Sequence, residues 1–249
     1  MKQWAIACLM LVCLCAAANP ASLVYDVSNN RIVSQHGDNA QRPIASLSKI
    51  MTSMVVLVSN MLMSETIKIN RRAGSQLPQR DYSRLELLHA MLVKSDNAAA
   101  ETLAEHHPGG RSAFMRAMNL KAKELGLPQT QFHDPSGLSV FNISTPYEVG
   151  VMLRAANNYE LIRNISTLKQ VQLETQKKKR QVIFFNTNYN VLTQFKDIVV
   201  SKTGFTNPAG FCMGLILNRQ GQEFVVVVLG EKNKTQRAAT VNRIMQELS

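Results

Sequence analysis

The strongest hydrophobic pattern in the chain begins at Ser46 and predicts a buried helix. Its apolar residues recur at the i, i+3, i+4 and i+7 spacing of one helical face, and two more make the opposite side apolar. They are Leu47, Ile50, Met51, Met54, Val55 and Val58 on the first face and Val56 and Leu57 on the second. A helix that is apolar on all sides belongs inside a domain.

The same periodicity predicts further helices in the middle of the chain and one at its end. The middle helices span about 84–93, 98–106, 113–125 and 145–156, and polar or Pro-Gly segments separate them. Residues 235–248 form an amphipathic helix that closes the chain.

Strand patterns lie on both sides of these helices. Residues 22–26 and 31–34 flank Asn29-Asn30 and predict a hairpin, and residues 65–69 alternate as a short strand. Five later segments also predict strands: 169–174, 181–185, 198–202, 211–217 and 223–229. This order indicates an α+β fold, with one antiparallel sheet whose N- and C-terminal strands pair, helices packed on it, and an all-helical subdomain.

The N-terminus predicts a secretory signal peptide over residues 1–18, followed by a single domain over 19–249. Lys2 precedes an apolar run from Trp4 to Cys15, and three alanines follow. A membrane anchor is the alternative, but the run is shorter than the roughly 20 residues that a spanning helix needs.

Charge and composition indicate which classes of binding partner the protein favours. The formal net charge is +11, which favours an anionic partner such as cell wall or membrane surface, although solubility explains it equally well. The basic run 177–180 predicts a solvated loop, and without interleaved aromatic residues it does not indicate nucleic-acid binding. The single cysteine outside the signal, Cys212, is predicted to be a buried thiol.

No metal or cofactor is expected. Four histidines, His89, His106, His107 and His133, lack the spacing of a metal site. Ser136 and Ser139 have no lysine or histidine at motif spacing, so we interpret them as loop residues.

Candidate chemistry begins with Ser46 and Lys49, a Ser-x-x-Lys element. One turn apart on a helix, the two side chains can meet. A lysine desolvated among apolar groups can be neutral enough to take the serine proton. Alone, such a short motif is more often an N-cap serine with a solvated lysine.

Two further elements follow in order. Ser95-Asp96-Asn97 lies at a break between helices, and Lys202-Thr203-Gly204 lies at the end of an apolar strand. Each is weak alone. The three together, in this order and in these contexts, are the combination found in penicillin-binding proteins and class A β-lactamases.

With these elements the sequence resembles the low-molecular-mass penicillin-binding proteins, serine D-alanyl-D-alanine peptidases of the bacterial cell envelope. The resemblance covers nearly all of the chain after the signal. Residues 134–139, 186–188 and 202–207 resemble the endopeptidase branch. The basic segment 169–181 departs from the family, and we expect no C-terminal β-rich domain of the kind that some carboxypeptidase relatives have.

The resemblance implies catalytic roles for three residues. Ser46 would attack the D-Ala carbonyl and Lys49 would accept its proton. Ser95, hydrogen-bonded between Lys49 and Lys202, would relay that proton to the leaving amine. Asp96 is expected to be structural.

The resemblance also implies five substrate-binding residues: Asn97, Lys202, Thr203, Gly204 and Phe205. Asn97 would hold the substrate amide, and Lys202 and Thr203 suit a carboxylate. Gly204 lets the strand approach the substrate, and the backbone N–H of Phe205 would form an oxyanion hole with that of the serine.

The implied function is hydrolysis of D-Ala-diaminopimelate cross-links in peptidoglycan, in the periplasm, with β-lactams as inhibitors. The asparagines of 186–188 are expected to bond peptide amides beside the cleft.

A carboxypeptidase is the main alternative. A β-lactamase is disfavoured, because neither Asp134 nor Glu160 lies in the loop that activates a deacylating water. An inactive wall-binding protein is disfavoured because it would not need both lysines, and the oligomeric state is not predicted.

Overall fold

The computed structural model describes residues 19–72, 74–174 and 181–248. The predicted signal peptide and the basic run 177–180 lie outside the described residues.

The described residues form strands at both ends of the chain and helices between them. The strands are β1 (Ala21–Asp26), β2 (Arg31–His36), β3 (Arg42–Pro43), β4 (Thr66–Lys68), β5 (Asp81–Ser83), β6 (Ile143–Ser144), β7 (Gln170–Glu174), β8 (Gln181–Phe185), β9 (Ile198–Thr206), β10 (Gly210–Arg219) and β11 (Gln222–Glu231). The α-helices are α1 (Ser48–Val58), α2 (Arg84–His89), α3 (Asn97–Glu105), α4 (Gly110–Glu124), α5 (Pro146–Asn157), α6 (Glu160–Ser166), α7 (Tyr189–Gln194) and α8 (Lys234–Glu247).

The central sheet has five antiparallel strands in the order β2-β1-β11-β10-β9. The predicted pairing of the chain's two ends is confirmed, since β1 pairs with β11 from Ala21 opposite Leu229 to Asp26 opposite Phe224. The valines of β11 alternate between the two faces. Val225 and Val227 pack with α5, whereas their neighbours pack with α8, so helices cover both faces.

The expectation of one sheet is wrong for three of the predicted strands. The strand predicted over residues 65–69, β4, pairs with β5 in a separate two-stranded sheet. β7 and β8 pair with each other as a separate two-stranded hairpin. Each buries a single residue, Leu173 in β7 and Phe184 in β8. Such sparse patterns show that a segment is extended but do not specify its partner.

Helices α6 and α7, seven and six residues long, were not predicted, because they are too short to show clear periodicity.

Helix α1 lies in the middle of the molecule, as its sequence predicts. Every residue from Ser48 to Val56 is buried, and the helix packs against α3, α4 and α5. A 3-10 turn (Ala45–Leu47) precedes it. The predicted helix over 84–93 changes at Ala90 into a π-helical turn (Ala90–Lys94), a feature often found at functional sites.

The loop after α4 is held against the start of α1 by Asn142, which is fully buried. Its Oδ1 accepts hydrogen bonds from the backbone N–H groups of His133 and Asp134. Its Nδ2 donates to Ser48 Oγ at 2.9 Å and to the Asp134 carbonyl at 2.8 Å. One side chain thus fixes the position of residues 134–139.

Replacing this side chain should destabilise the protein. In Asn142→Leu, which keeps the size but not the polar atoms, the buried backbone groups of His133 and Asp134 lose their partners. We expect the free energy of unfolding to fall by at least about 1–3 kcal/mol, measured by urea denaturation. Asn164→Leu, at an exposed position of α6, is the control and should change it by no more than about 0.5 kcal/mol. Equal effects of the two substitutions would contradict the role of Asn142.

Candidate active site

Ser46 lies in the 3-10 turn immediately before α1, on a backbone held in an unusual conformation. The preceding residue, Ala45, has φ +47°, a left-handed value that costs a non-glycine residue of the order of 1–2 kcal/mol. The Ser48 hydroxyl bonds the Ala45 carbonyl at 2.8 Å. On the other side, Gly137 (φ +85°) lies so close that a Cβ there would overlap this carbonyl. The backbone that carries the Ser46 hydroxyl is therefore held by packing from two sides.

Lys49 is completely buried and directs its amine at Ser46. Nζ lies 2.9 Å from Ser46 Oγ, 2.8 Å from Asn97 Oδ1 and 2.5 Å from the Ser136 carbonyl. An ammonium would donate to all three oxygens. A neutral amine would donate to the two carbonyl oxygens and turn its lone pair to the Ser46 hydroxyl. The arrangement thus suits a base that takes the serine proton.

Burial lowers the pKa of Lys49 from 10.5 to about 7, because the charged form loses its hydration. The negative charges of Asp134, Asp96 and Glu101 oppose this shift. Burial would raise the pKa of Asp134, but hydrogen bonds from the Ser136 hydroxyl and from the backbone N–H groups of Ser139, Ser136 and Gly137 lower it overall. Asp134 therefore remains a carboxylate. The amine is therefore partly neutral near pH 7.

Lys202, on β9, is the second buried lysine of the site. Its Nζ bonds Ser95 Oγ at 2.9 Å and the Thr203 carbonyl at 2.9 Å. Burial lowers its pKa well below the usual value, and the charges of Lys49 and Arg237 lower it further. Within the described residues Lys49 makes no hydrogen bond to Ser95, so the expectation that Ser95 bonds both lysines is only half correct.

Ser95 and its neighbours join the π-helical turn to α3. Ser95 adopts φ +64°, a left-handed conformation that ends the turn. Asp96 caps α3 by accepting from the Ala99 N–H and also accepts from Ser75 Oγ at 2.8 Å, which agrees with its expected structural role. Asn97, the first residue of α3, presents Oδ1 to Lys49. Its amide group therefore lies within the cluster of polar side chains around Ser46.

The end of β9 completes the site from the side of the sheet. A Cβ on Gly204 would lie 3.1 Å from both Ser46 N and the Ile44 carbonyl, so β9 approaches the backbone beside Ser46 closely at this glycine. The expected approach of this strand to the substrate stays a prediction. The Phe205 side chain, about half exposed, stacks on Phe211 with ring centroids 4.1 Å apart. The eight site residues named from the sequence are thus brought to one region around Ser46.

The asparagines of the 186–188 segment do not face the cleft. Asn186 and Asn188 are buried, and their amide groups bond inside the protein, to the carbonyls of Ser166 and Leu168 and to Ser201 Oγ respectively. The expectation that they bond peptide amides is therefore wrong. Thr187 between them is exposed and contacts the site.

Sequence reasoning missed two groups of the site. The Ser136 carbonyl, which bonds Lys49, is a backbone atom and leaves no sequence signature. Arg237 is 9% exposed, donates to the Cys212 carbonyl at 3.4 Å, and its buried Nε has no partner within the described residues. It lies four and seven residues before Val241 and Ile244, on the buried face of α8. A charge on an apolar helical face was the signal that could have found it.

Other candidates remain outside the chemistry. Cys212 is a buried free thiol, as predicted, and burial raises its pKa to about 11. Among residues 19–72, 74–174 and 181–248, no group of three or more His, Cys, Asp or Glu side chains is placed to hold a metal ion. In the same ranges, no helix is long and apolar enough to cross a membrane.

Comparison with known sequences identifies the relatives of this chain. Residues 15–233 match a family model described as D-alanyl-D-alanine carboxypeptidase. The D-alanyl-D-alanine endopeptidase of Escherichia coli (strain K12) is 34% identical over 238 residues, which cover 91% of this chain and 76% of the relative. That of Pseudomonas aeruginosa is 34% identical over 225 residues, covering 84% and 71%.

Solved structures give the same answer. Penicillin-binding protein D2 from Listeria monocytogenes, in its cefotaxime-bound form, superposes with a TM-score of 0.81 and 28% identity. The match covers 92% of this chain and 96% of that one. The expected penicillin-binding-protein fold is thereby confirmed, and the chain belongs to the D-alanyl-D-alanine carboxypeptidase family of serine peptidases.

Proposed function

We propose that the protein is a D-alanyl-D-alanine endopeptidase that hydrolyses D-Ala-diaminopimelate cross-links in peptidoglycan through an acyl-enzyme on Ser46. The observation that carries the mechanism is the hydrogen bond between the Ser46 hydroxyl and a fully buried lysine whose pKa is about 7. Such a lysine can act as a general base at neutral pH.

In the acylation step, neutral Lys49 takes the proton of Ser46 while Oγ attacks the D-Ala carbonyl carbon. The resulting oxyanion would accept hydrogen bonds from the backbone N–H groups of Ser46 and Phe205. Breakdown of this intermediate expels the amine and leaves the acyl group on Ser46. Water then attacks the ester, with Lys49 again taking a proton, and releases the shortened peptide.

The proton held by Lys49 must reach the leaving amine. Ser95, positioned by Lys202, is the candidate carrier: it would donate its hydroxyl proton to the amine and take the one from Lys49. Lys49 bonds Asn97 and the Ser136 carbonyl, so this transfer requires Lys49 or Ser95 to change rotamer.

Substrate binding relies on cations and an amide. Lys202, Thr203 and Arg237 would recognise a carboxylate on the leaving residue, which would also favour the charged form of Lys202. The Nδ2 group of Asn97 makes no hydrogen bond within the described residues and would donate to a carbonyl of the substrate peptide.

Two observations support an endopeptidase over a carboxypeptidase: the names of the more similar relatives and a pocket beside the cluster. Three relatives at 33–34% identity are D-alanyl-D-alanine endopeptidases, whereas a Bacillus subtilis carboxypeptidase is 26% identical. An open pocket of about 300 Å³ adjoins Ser95 and Asn97 and would give room to part of a cross-linked peptide beside the cluster; it is lined by Gly74, Ser75, Gln76, Lys94, Ser95, Asp96 and Asn97.

A periplasmic location is part of the proposal. It follows from the predicted signal peptide and from the cell-wall substrate. The net charge of +11 would favour an anionic wall polymer, weakly and less so at high salt. β-Lactams would inhibit by acylating Ser46, since the related penicillin-binding protein D2 is known in cefotaxime- and ampicillin-bound forms.

Loss of the nucleophile should abolish covalent labelling by penicillin. We expect no labelling of Ser46→Ala and a rate reduced by about 10² to 10⁴ or more in Lys49→Ala, because the base is gone. Gel fluorescence with a labelled penicillin measures both. Ser139→Ala, in the neighbouring loop, is the control and should label normally. Labelling that persists in Ser46→Ala would refute the assignment.

Acylation should depend on pH through Lys49. Below its pKa of about 7 the amine is protonated and cannot accept the serine proton, so the rate should be low and rise with pH. It should level off once the amine is neutral. Stopped-flow acylation rates from mildly acidic to mildly alkaline pH measure this limb, and a flat profile would argue against a titrating base.

The bond specificity can be tested with two substrates in parallel. Purified protein is given a cross-linked dimeric muropeptide and a monomeric pentapeptide, and chromatography follows both. We expect cleavage of the dimer to be faster than release of D-Ala from the pentapeptide. Rapid D-Ala release with the dimer left intact would make the protein a carboxypeptidase and leave the nucleophile unchanged.

A further inference from the structure

Two threonine hydroxyls meet at the edge of the active site. Thr203 Oγ1 donates to Thr187 Oγ1 at 2.7 Å. Thr203 is 5% exposed, whereas Thr187, in the turn between β8 and α7, is exposed to solvent. The second hydroxyl therefore lies at the rim of the cleft, next to the residue expected to bind a carboxylate.

The backbone of this turn is fixed on both sides of Thr187. The Thr187 N–H donates to the Val93 carbonyl at 3.0 Å, in the π-helical turn that leads to Ser95. Asn186 Nδ2 donates to the Leu168 carbonyl at 2.8 Å, and Asn188 Nδ2 donates to Ser201 Oγ at 2.9 Å. The two asparagines thus serve to hold the turn, and they place the Thr187 hydroxyl against β9.

A hydroxyl group has one proton and can also accept hydrogen bonds. The proton of the Thr203 hydroxyl is directed at Thr187. When a carboxylate binds beside Lys202, the Thr203 proton can turn towards it. Thr187 can then rotate its own proton to Thr203, so that the Thr203 oxygen keeps a hydrogen bond. Hydrogen bonds in such a chain polarise and strengthen one another.

We propose that Thr187 is a positioning residue that acts through Thr203. It supplies the second hydroxyl of a donor chain, Thr187 to Thr203 to carboxylate, that recognises the carboxylate of the leaving residue. Both hydroxyls only rotate, and no proton is transferred. The inference rests on the proposed carboxylate recognition at Lys202 and Thr203, and it adds a residue that Asn186 and Asn188 hold in place.

The test compares acylation by benzylpenicillin, which carries a carboxylate, with acylation by its methyl ester. Thr187→Val removes the hydroxyl and keeps the branched shape, and Thr187→Ser keeps the hydroxyl. Thr187→Val should slow acylation by the free acid about three- to ten-fold, the effect of one lost hydrogen bond, with a several-fold smaller loss for the ester. Thr187→Ser should come within about two-fold of the wild type. On the dimeric muropeptide, Thr187→Val should raise KM more than it lowers kcat.

Equal losses on acid and ester would overturn the proposal, because the hydroxyl would then act on the turn and not on the carboxylate. An unchanged rate for the free acid would overturn it too. A wild-type protein that is acylated by penicillin but does not cleave the dimer would refute the proposed endopeptidase reaction. The acid-to-ester comparison would still decide the role of Thr187.

Discussion

The burial of the Lys49 amine is the constraint on which the active site depends. Removing an ammonium from water is costly, so the pKa falls and the neutral form becomes accessible. The Asp134 carboxylate counters part of this effect, and its own charge is maintained by the hydrogen bonds of its loop. A site with less burial would leave a permanent cation, and one without nearby carboxylates would bind the proton too weakly. The balance gives Lys49 the pKa that the proposed general base needs at neutral pH.

The fold buries that amine by packing α1 against α3, α4 and α5, and the 3-10 turn before α1 contacts β9 and β10 of the sheet. Ser46 and Lys49 come from the start of α1, Ser95 and Asn97 from the break between the π-helical turn and α3, and Lys202 from β9 at the sheet edge. The left-handed conformations of Ala45 and Ser95 lie at the points where the chain delivers these side chains. Backbone strain of this kind persists only where the surrounding packing holds it.

Much of this arrangement could be predicted from the sequence, because it depends on a repeating apolar pattern and on several short motifs that occur together. The apolar repeat after Ser46 required a buried helix, and the three motifs in order predicted which side chains the fold brings together around Ser46. The partner of β7 could not be predicted, since a short half-exposed strand pairs according to tertiary context. The contact between Ser136 and Lys49 could not be predicted either, because it is made by a backbone carbonyl, a group that every residue type has. The asparagines beside Thr187 looked like ligands because sequence does not show which side chains turn inward.

The most direct test of this account is an NMR titration of the Lys49 side chain in protein labelled with ¹³C at the lysine ε-carbon. The Lys49 resonance is assigned by its loss in Lys49→Arg. The account predicts a titration midpoint near 7, far below the ordinary lysine value of 10.5. A resonance showing that the Lys49 amine stays protonated up to that ordinary value would contradict the claim that burial makes Lys49 the base.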